Sequence, residues 1–331
     1  MLGNECNLQC KYCIQHDIVN DAVPHGVNQN VINYIKNILD HQKSKVKVTF
    51  YGGEPLIFWK DVTQYVQKLK DKNIAFNLIT NGKLLTQDKI DFINENKMSI
   101  GLSYDGENSI QTRGYDVLSD KKDLVLQIKR LCITGVITKF NYPQDWFNTV
   151  MEFDKEYVKK HHYHVHTNLD LLLNNNDLHG LSDFDFEKLE CQMEKICDHY
   201  LDVQVNDKPI IISDIFIEKF FDMMIIKYKG NYSKCRNGIN NLNIDTEGNL
   251  YLCHNTHIKV GTIKDDFLDV LKNVFKLDKT SEKQACKECE FRNLCRGGCM
   301  LSSQETLDGY FCKLAKAYFK PIVELRKHFY F

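Results

Sequence analysis

Three cysteines near the start of the chain, Cys6, Cys10 and Cys13, constrain it more than any other feature. They stand in Cys6-Asn7-Leu8-Gln9-Cys10-Lys11-Tyr12-Cys13, a C-x3-C-x2-C spacing on a short loop, with Tyr12 directly before the third. A structural zinc site normally takes four protein ligands, so three thiolates do not close one. Soft thiolates select iron–sulfur clusters, and three of them hold a [4Fe–4S] cube at three corners with the fourth iron open to another ligand. The alternatives are a chance grouping of cysteines or half of a split zinc site.

The rest of the sequence shows what scaffold carries that loop. Residues 45–51 alternate polar and apolar as a strand does and end in Gly52-Gly53; helical periodicity follows over 59–69. A second strand over 75–80 ends in Asn81-Gly82 before a helix at 86–96, and a third over 98–104 ends in Asp105-Gly106. A helix near 122–134, a strand near 136–142, a helix near 144–160 and a strand over 161–173 continue the rhythm. Repeated βα units with glycine at the strand ends predict an α/β fold with a parallel sheet, most simply a barrel or partial barrel. Its chemistry belongs at the carboxyl ends of the strands, where these turns fall.

An amphipathic helix over 181–202 carries Cys191 and Cys197, whose six-residue separation does not share a helix face, so they read as core or surface thiols. Cys132, between Leu131 and Ile133 on a helical pattern, reads as core. A further apolar helix is expected over 214–229, bridging a 1–215 core and a 216–331 C-terminal part. In His161-His162-Tyr163-His164-Val165-His166 a strand puts His162, His164 and His166 on one face. Alternate strand side chains lie about 6–7 Å apart, which suits one metal ion poorly. Substrate contact, proton transfer or polar packing at the barrel lip are the roles left.

Composition excludes several function classes. The net charge of -1 comes from interspersed acids and bases, leaving no basic footprint for nucleic acid. No run of about 18 apolar residues predicts a transmembrane helix, and Cys6 arrives before a signal-peptide core could fit. Thirteen cysteines without a secretory signal favour metal over disulfides and predict a cytoplasmic protein.

The cysteine loop resembles the signature of the radical S-adenosylmethionine (SAM) superfamily, which implies a partial (β/α)6 TIM-like barrel. Tyr51-Gly52-Gly53-Glu54-Pro55-Leu56 resembles that superfamily's GGE motif, and Ile79-Thr80-Asn81-Gly82 and Ser103-Tyr104-Asp105-Gly106 resemble its next two turns. The resemblance implies that SAM binds the open iron and is cleaved reductively to methionine and a 5′-deoxyadenosyl radical. It places Tyr12, Gly52, Gly53, Glu54 and Asn81 around SAM, with Glu54 toward the amino group, Ser103 toward the ribose and Arg113 toward the carboxylate. Glycines that let a ligand approach the backbone, and a carboxylate that complements an ammonium, fit this. One departure is the start: only five residues precede Cys6, so the strand that usually leads into the loop is either very short or absent.

The C-terminal third carries Cys235, Gly248 and Cys253, then Cys286-x2-Cys289-x5-Cys295-x3-Cys299, then Cys312. These resemble the SPASM domain, a cysteine-rich extension holding two auxiliary [4Fe–4S] clusters, for three clusters in all. The resemblance assigns Cys235, Cys253 and Cys299 to the first auxiliary cluster and Cys286, Cys289, Cys295 and Cys312 to the second. The first is one thiolate short, because Lys229 stands near where sulfatase-maturating enzymes carry an extra cysteine, which predicts an open or unusually ligated iron. Spacing alone also permits a zinc ribbon of Cys286, Cys289, Cys295 and Cys299. Leu250-Tyr251-Leu252-Cys253-His254 resembles the YPCH turn of peptide maturases, where His254 could accept a substrate proton.

The resemblance therefore implies an enzyme that abstracts hydrogen from a ribosomally made peptide, installing a thioether, a carbon–carbon crosslink or another residue oxidation. It implies a flavodoxin- or ferredoxin-type electron donor. With no room for a leader-binding domain, it also implies a separate recognition protein or leader-independent binding. The alternatives are a sulfatase-maturating or small-molecule radical SAM enzyme, and a zinc-binding interaction module without activity.

Overall fold

Period-two burial sets the strands. In the computed structural model, which describes residues 1–15, 25–41, 45–70, 73–171, 183–205, 241–254, 258–277, 288–291, 295 and 311–327, five strands form one sheet in chain order. They are β1 (Val46–Phe50), β2 (Ile74–Thr80), β3 (Ser99–Ser103), β4 (Leu131–Ile137) and β5 (His166–Leu171), every neighbour parallel. Among the described residues the sheet is not closed, as a partial barrel requires. Between the strands run α1 (Gln29–His41, before β1), α2 (Trp59–Leu69), α3 (Gln87–Glu95), α4 (Ser109–Arg113), α5 (Val117–Val125), α6 (Pro143–His161) and, after β5, α7 (Phe186–Val205). Val62, Val66 and Leu69 of α2 and Ile90 and Ile93 of α3 are completely buried, along with Leu78, Ile100 and Ile133 of the strands. Each such side chain is stabilised by about 1.5–3 kcal/mol relative to exposure.

Two sequence expectations shift. The strand expected at 136–142 is β4 at Leu131–Ile137, and the helix expected to run to 134 ends as α5 at Val125. The run Leu131-Cys132-Ile133 is apolar without a break, which periodicity cannot assign; pairing of Ile100 with Leu131 and Ser103 with Thr134 makes it strand. The strand expected over 161–173 begins only at His166, because α6 continues to His161. His162, at φ +64°, closes that helix with its N–H on Val158 O. The histidines thus share no strand face: His161 bonds Leu126 O through Nε2, His164 Nδ1 meets Asp154 Oδ2 at 2.6 Å, and only His166 lies in β5.

The chain's first residues take the place of a leading strand. Leu2 N–H donates to Tyr51 O, Gly53 N–H to Gly3 O and Glu54 N–H to Glu5 O, so an extended segment runs beside the end of β1. No strand is assigned to residues 1–5; these three hydrogen bonds are what joins the segment to the sheet.

At the other end of the chain, β6 (Asn243–Ile244), β7 (Asn249–Tyr251) and β8 (Lys259–Thr262) make an antiparallel sheet, covered by α8 (Phe267–Leu277). Leu250, Leu252, Val260, Val270 and Val274 form its separate small core. The last helix, α9 (Cys312–Lys327), returns to α7. Its Leu314, Tyr318, Phe319 and Ile322 join Leu189, Met193 and Ile196 in the core that also buries the parallel sheet. Cys197 is buried in that core while Cys191 is exposed, as thiols without a shared helix face should be. The helix expected over 214–229 lies outside the described residues. No helix among those described is long and apolar enough to cross a membrane.

Candidate functional site

The parallel register brings the turns after β1, β2 and β3 to one edge of the sheet, and the cysteine loop lies against all three. Gly52 and Gly53 are needed there by the chain itself. A Cβ on Gly52 would sit 2.3 Å from Gly3 O, and one on Gly53 2.2 Å from Glu5 O and 2.4 Å from Asn4 O. Backbone atoms this close cannot give way, so the two glycines admit the segment that leads into Cys6. Sequence reasoning attributed them to ligand approach; the first thing they let approach is residues 3–5.

Glu54, 1% exposed, ties the turn to the end of β2. Its Oε1 accepts from Leu56 N–H at 2.9 Å and Thr80 Oγ1 at 2.7 Å, and its Oε2 accepts from Asn81 N–H at 2.8 Å. Burial pushes the carboxyl up from its ordinary value, and these donors pull it part of the way back. Asn81 extends the tie into the loop, donating from Nδ2 to Asn7 Oδ1 at 2.8 Å.

A second buried carboxylate, Asp105, holds the loop from the end of β3. Its Oδ2 accepts from the Tyr12 hydroxyl and from Thr112 Oγ1 at 2.7 Å, and its Oδ1 accepts from Val136 N–H at 3.1 Å. Arg113 Nε lies 3.1 Å from the same Oδ2, near enough to pair with it, although its N–H is not aimed at that oxygen. The guanidinium covers the Tyr12 ring at 5.3 Å and reaches the Cys10 Sγ with Nη1 at 4.0 Å. Burial works against the charge on Arg113, but Asp105, Tyr12 and Cys10 more than restore it. Lys11 N–H on Thr112 O completes the seam. Ser103 ends β3, half-buried, its hydroxyl without a hydrogen bond to any described residue.

The auxiliary end of the molecule meets this loop through Cys253 and His254. Gly248 makes the turn before them possible: its φ is +89°, and a Cβ would press within 2.7 Å of Ile263 Cδ1. The buried Asp245 carboxylate holds the same turn, accepting from Glu247 N–H, Asn249 N–H, Asn249 Nδ2 and the Tyr251 hydroxyl. The His254 ring packs edge-on against Tyr51 at 4.1 Å, and Gln15 Nε2 donates to His254 O at 2.8 Å. Burial, and secondarily the Met1 ammonium, pull His254 down to about 4, so its ring is neutral at physiological pH. Burial pushes the Tyr51 hydroxyl far up, and Cys13, Cys253 and Asp170 all add to it; Tyr51 lies electrostatically between the two cysteine regions. Cys253 is buried, Cys289, Cys295 and Cys312 are half-buried, and Cys312 opens α9. Cys235, Cys286 and Cys299 lie outside the described residues.

The donor set of the loop fits a cube. Cys6, Cys10 and Cys13 form no disulfide, and the charges of Cys6 and Cys13 both bear on Cys10, whose thiol burial pushes up to about 11. Buried thiols of that kind become thiolates on binding metal. Beside them Asn4 Nδ2 and Oδ1 and Asn7 Nδ2 are buried without a hydrogen-bond partner among the described residues. Such orphaned polar atoms call for a polar guest. Asp105, Tyr51 and Gln15 were missed as site residues by sequence reasoning. The first two stood in the quoted turns Ser103-Tyr104-Asp105-Gly106 and Tyr51-Gly52-Gly53-Glu54; Gln15 gives no signal in sequence.

Comparison with known proteins agrees with this geometry. Residues 1–111 match the family model described as the Radical SAM superfamily. A cysteine-type anaerobic sulfatase-maturating enzyme of Clostridium novyi (strain NT) is 25% identical, the match covering 96% of this chain and 92% of that one. The radical SAM cyclopropyl synthase TigE of Paramaledivibacter caminithermalis is 23% identical, covering 100% of this chain and 74% of that one. The solved structure of native anSMEcpe with bound AdoMet superposes with a TM-score of 0.73 at 22% identity, covering 98% of this chain and 96% of that one. The family implies a [4Fe–4S] cluster and SAM as cofactors. The fold is the partial barrel of that solved structure, and residues 1–111 carry a radical SAM domain.

Proposed function

We propose that this enzyme acts on a peptide, removing hydrogen from one of its residues so that a thioether, a carbon–carbon crosslink or another oxidised residue forms. One observation carries the reading. The strand end bearing Cys253 and His254 is fastened directly to the Cys6–Cys13 loop, through Gln15 Nε2 on His254 O and the Tyr51–His254 ring contact. That tie supports a reading in which an auxiliary centre and the radical source serve one substrate. A related solved protein, anSMEcpe, has been seen with AdoMet and the Cp18Cys peptide together, at a TM-score of 0.69 to this chain.

Cys6, Cys10 and Cys13 would hold a [4Fe–4S] cluster, which when bound would supply the electron for reductive cleavage of SAM and so the radical that removes hydrogen. The chain's own residues do the rest. Asn4 and Asn7 offer orphaned amides to the polar guest, and Ser103 offers its hydroxyl at the end of β3. Glu54 and Asn81 hold the loop beside the SAM site. Neutral His254 can take a proton from the substrate residue as it is oxidised, and Tyr51 helps close the cleft to solvent. Cys253, with Cys235 and Cys299, would hold a first auxiliary cluster with an open iron, and Cys286, Cys289, Cys295 and Cys312 a second.

The second reading is sulfatase maturation, favoured by the Clostridium novyi relative. Lys229, near the place of an extra cysteine, and His254, in the place of an acidic base, favour the peptide maturase. The test is anaerobic reconstitution, an iron and sulfide count, and mass spectrometry of candidate peptides encoded beside the gene, with SAM and dithionite. About twelve irons, 5′-deoxyadenosine and a peptide lighter by the hydrogens removed are expected. Turnover of a sulfatase cysteine peptide alone would replace this reading with the second. Zinc without iron would overturn both.

A further inference from the structure

We infer that Arg113 is a positioning and charge-setting residue of the cluster itself: held by Asp105 and stacked on Tyr12, it donates to the Cys10 sulfur and makes the cluster easier to reduce. The inference rests on Cys6, Cys10 and Cys13 holding the cube, and it departs from the role of SAM-carboxylate partner that the resemblance gives this arginine.

Geometry carries it. Arg113 ends α4 and is 8% exposed. Three contacts of its guanidinium among the described residues belong to the loop or its anchor: Asp105 Oδ2 at 3.1 Å, the Tyr12 ring at 5.3 Å, and Cys10 Sγ at 4.0 Å. Asp105 is completely buried and is itself held by the Thr112 hydroxyl and by Val136 N–H of β4, so the cation is aimed by the rigid end of the sheet. The guanidinium is planar, so its N–H groups point in set directions, and here Nη1 reaches the sulfur. Hydrogen bonds to cluster sulfurs and nearby positive charge both favour the more negative, reduced cube. Asp105 cancels part of that charge, and the guanidinium is the group of the pair that touches the Cys10 sulfur.

The experiment uses the whole enzyme, reconstituted anaerobically, and follows the electron-paramagnetic-resonance signal that added SAM perturbs, because the reading on which the inference rests has SAM bind the Cys6/Cys10/Cys13 cluster. In wild-type enzyme grown on nitrogen-15 arginine, pulsed spectroscopy of the reduced cluster without SAM is expected to show a nitrogen-15 coupling on that signal. Absence of the coupling overturns the inference. In R113Q the ratio of reduced to oxidised cluster at a fixed mid-range potential is expected to fall about tenfold, which for one electron is about 59 mV. R113K, which keeps the charge, should recover part of the loss. Should R113Q fail to take up iron, the double variant D105N/R113Q, which removes both buried charges together, is read the same way. A fully loaded variant with an unchanged reduced fraction, or one in which only SAM affinity drops, overturns the inference and returns Arg113 to the carboxylate. A wild-type enzyme with no SAM-perturbed signal would instead remove the reading on which the inference rests.

Discussion

At the end of β1 the buried Glu54 carboxylate is surrounded by neutral donors: two backbone N–H groups and the Thr80 hydroxyl. At the end of β3 the equally buried Asp105 takes neutral donors too, but adds the Arg113 cation. The difference divides the labour of holding the cysteine loop. Neutral donors fix backbone positions while leaving the carboxylate charge uncompensated, and burial accordingly pushes Glu54 up. A cation compensates the charge, and the pair then projects a positive end toward Cys10. The Glu54 anchor gives shape to the loop; the Asp105 anchor gives it shape and field.

The comparison breaks most readily at Asp105. Asp105→Asn leaves Arg113 buried without its counter-ion, a change that costs about 3–5 kcal/mol. Urea unfolding of the apoprotein measures it, and a loss below about 1 kcal/mol would mean that the two anchors are equivalent. At the other anchor, Gly53→Ala sets a methyl group against the carbonyls of Glu5 and Asn4. Overpacking of this kind costs up to about 3 kcal/mol. The cost should show in apoprotein without SAM; if stability is unchanged and only SAM affinity falls, the glycines serve the ligand after all.

Glu54→Gln comes next at about 1–2 kcal/mol, because the amide turns a donor toward N–H groups that need an acceptor. Its pH dependence carries a sign. The folded-state pKa of Glu54 lies above its ordinary 4.5, so the folded protein binds the proton more readily than the unfolded chain does. The associated stability is fully present below 4.5 and is lost as pH rises through the folded value. The penalty for Gln should therefore be larger near pH 5 than near pH 7 in paired unfolding curves. The opposite slope would place Glu54 in a charge-balanced site like that of Asp105.

Much of this was legible in the sequence. The spacing of Cys6, Cys10 and Cys13, the alternation of 45–51 and the glycines at strand ends all depend on local chemistry, and the structure has a loop and parallel strands there. What sequence could not show was partnership at a distance. Asp105 looks like an ordinary Asp-Gly turn until Tyr12, 93 residues away, is found donating to it. The reason for Gly53 lies in Glu5, and nothing local says so. The histidine run misled for a related reason: β propensity at 163–166 competed with a long helix whose C-cap, His162, needs a left-handed residue that only the fold reveals. Gly248 was legible only as a spacing mark in the cysteine pattern; its positive φ and its contact with Ile263 supply the physical cause.

The smallest effect sharpens the comparison across the whole molecule. Among the described residues the antiparallel sheet buries five apolar side chains of its own, with Ile244 and Ile263 also packing on the main core, and polar ties add to that attachment. Asn28 Nδ2 on Thr246 O is one, at 2.8 Å, and Gln15 Nε2 on His254 O is another of the same length. Gln15 is 5% exposed and comes from the cysteine loop, so this bond joins the two cysteine regions directly. Gln15→Ala removes one neutral hydrogen bond, worth about 0.5–1.5 kcal/mol. Global unfolding should hardly register it. Local opening should: amide exchange across Asn249–His254 is expected to quicken about 2- to 12-fold while exchange in β2 and β3 stays as it was. Equal acceleration everywhere would mean that the barrel and the small sheet unfold as one unit. No acceleration would mean that Asn28 and the Tyr51–His254 contact suffice to hold the strand end, leaving Gln15 to shape the loop on the barrel side alone.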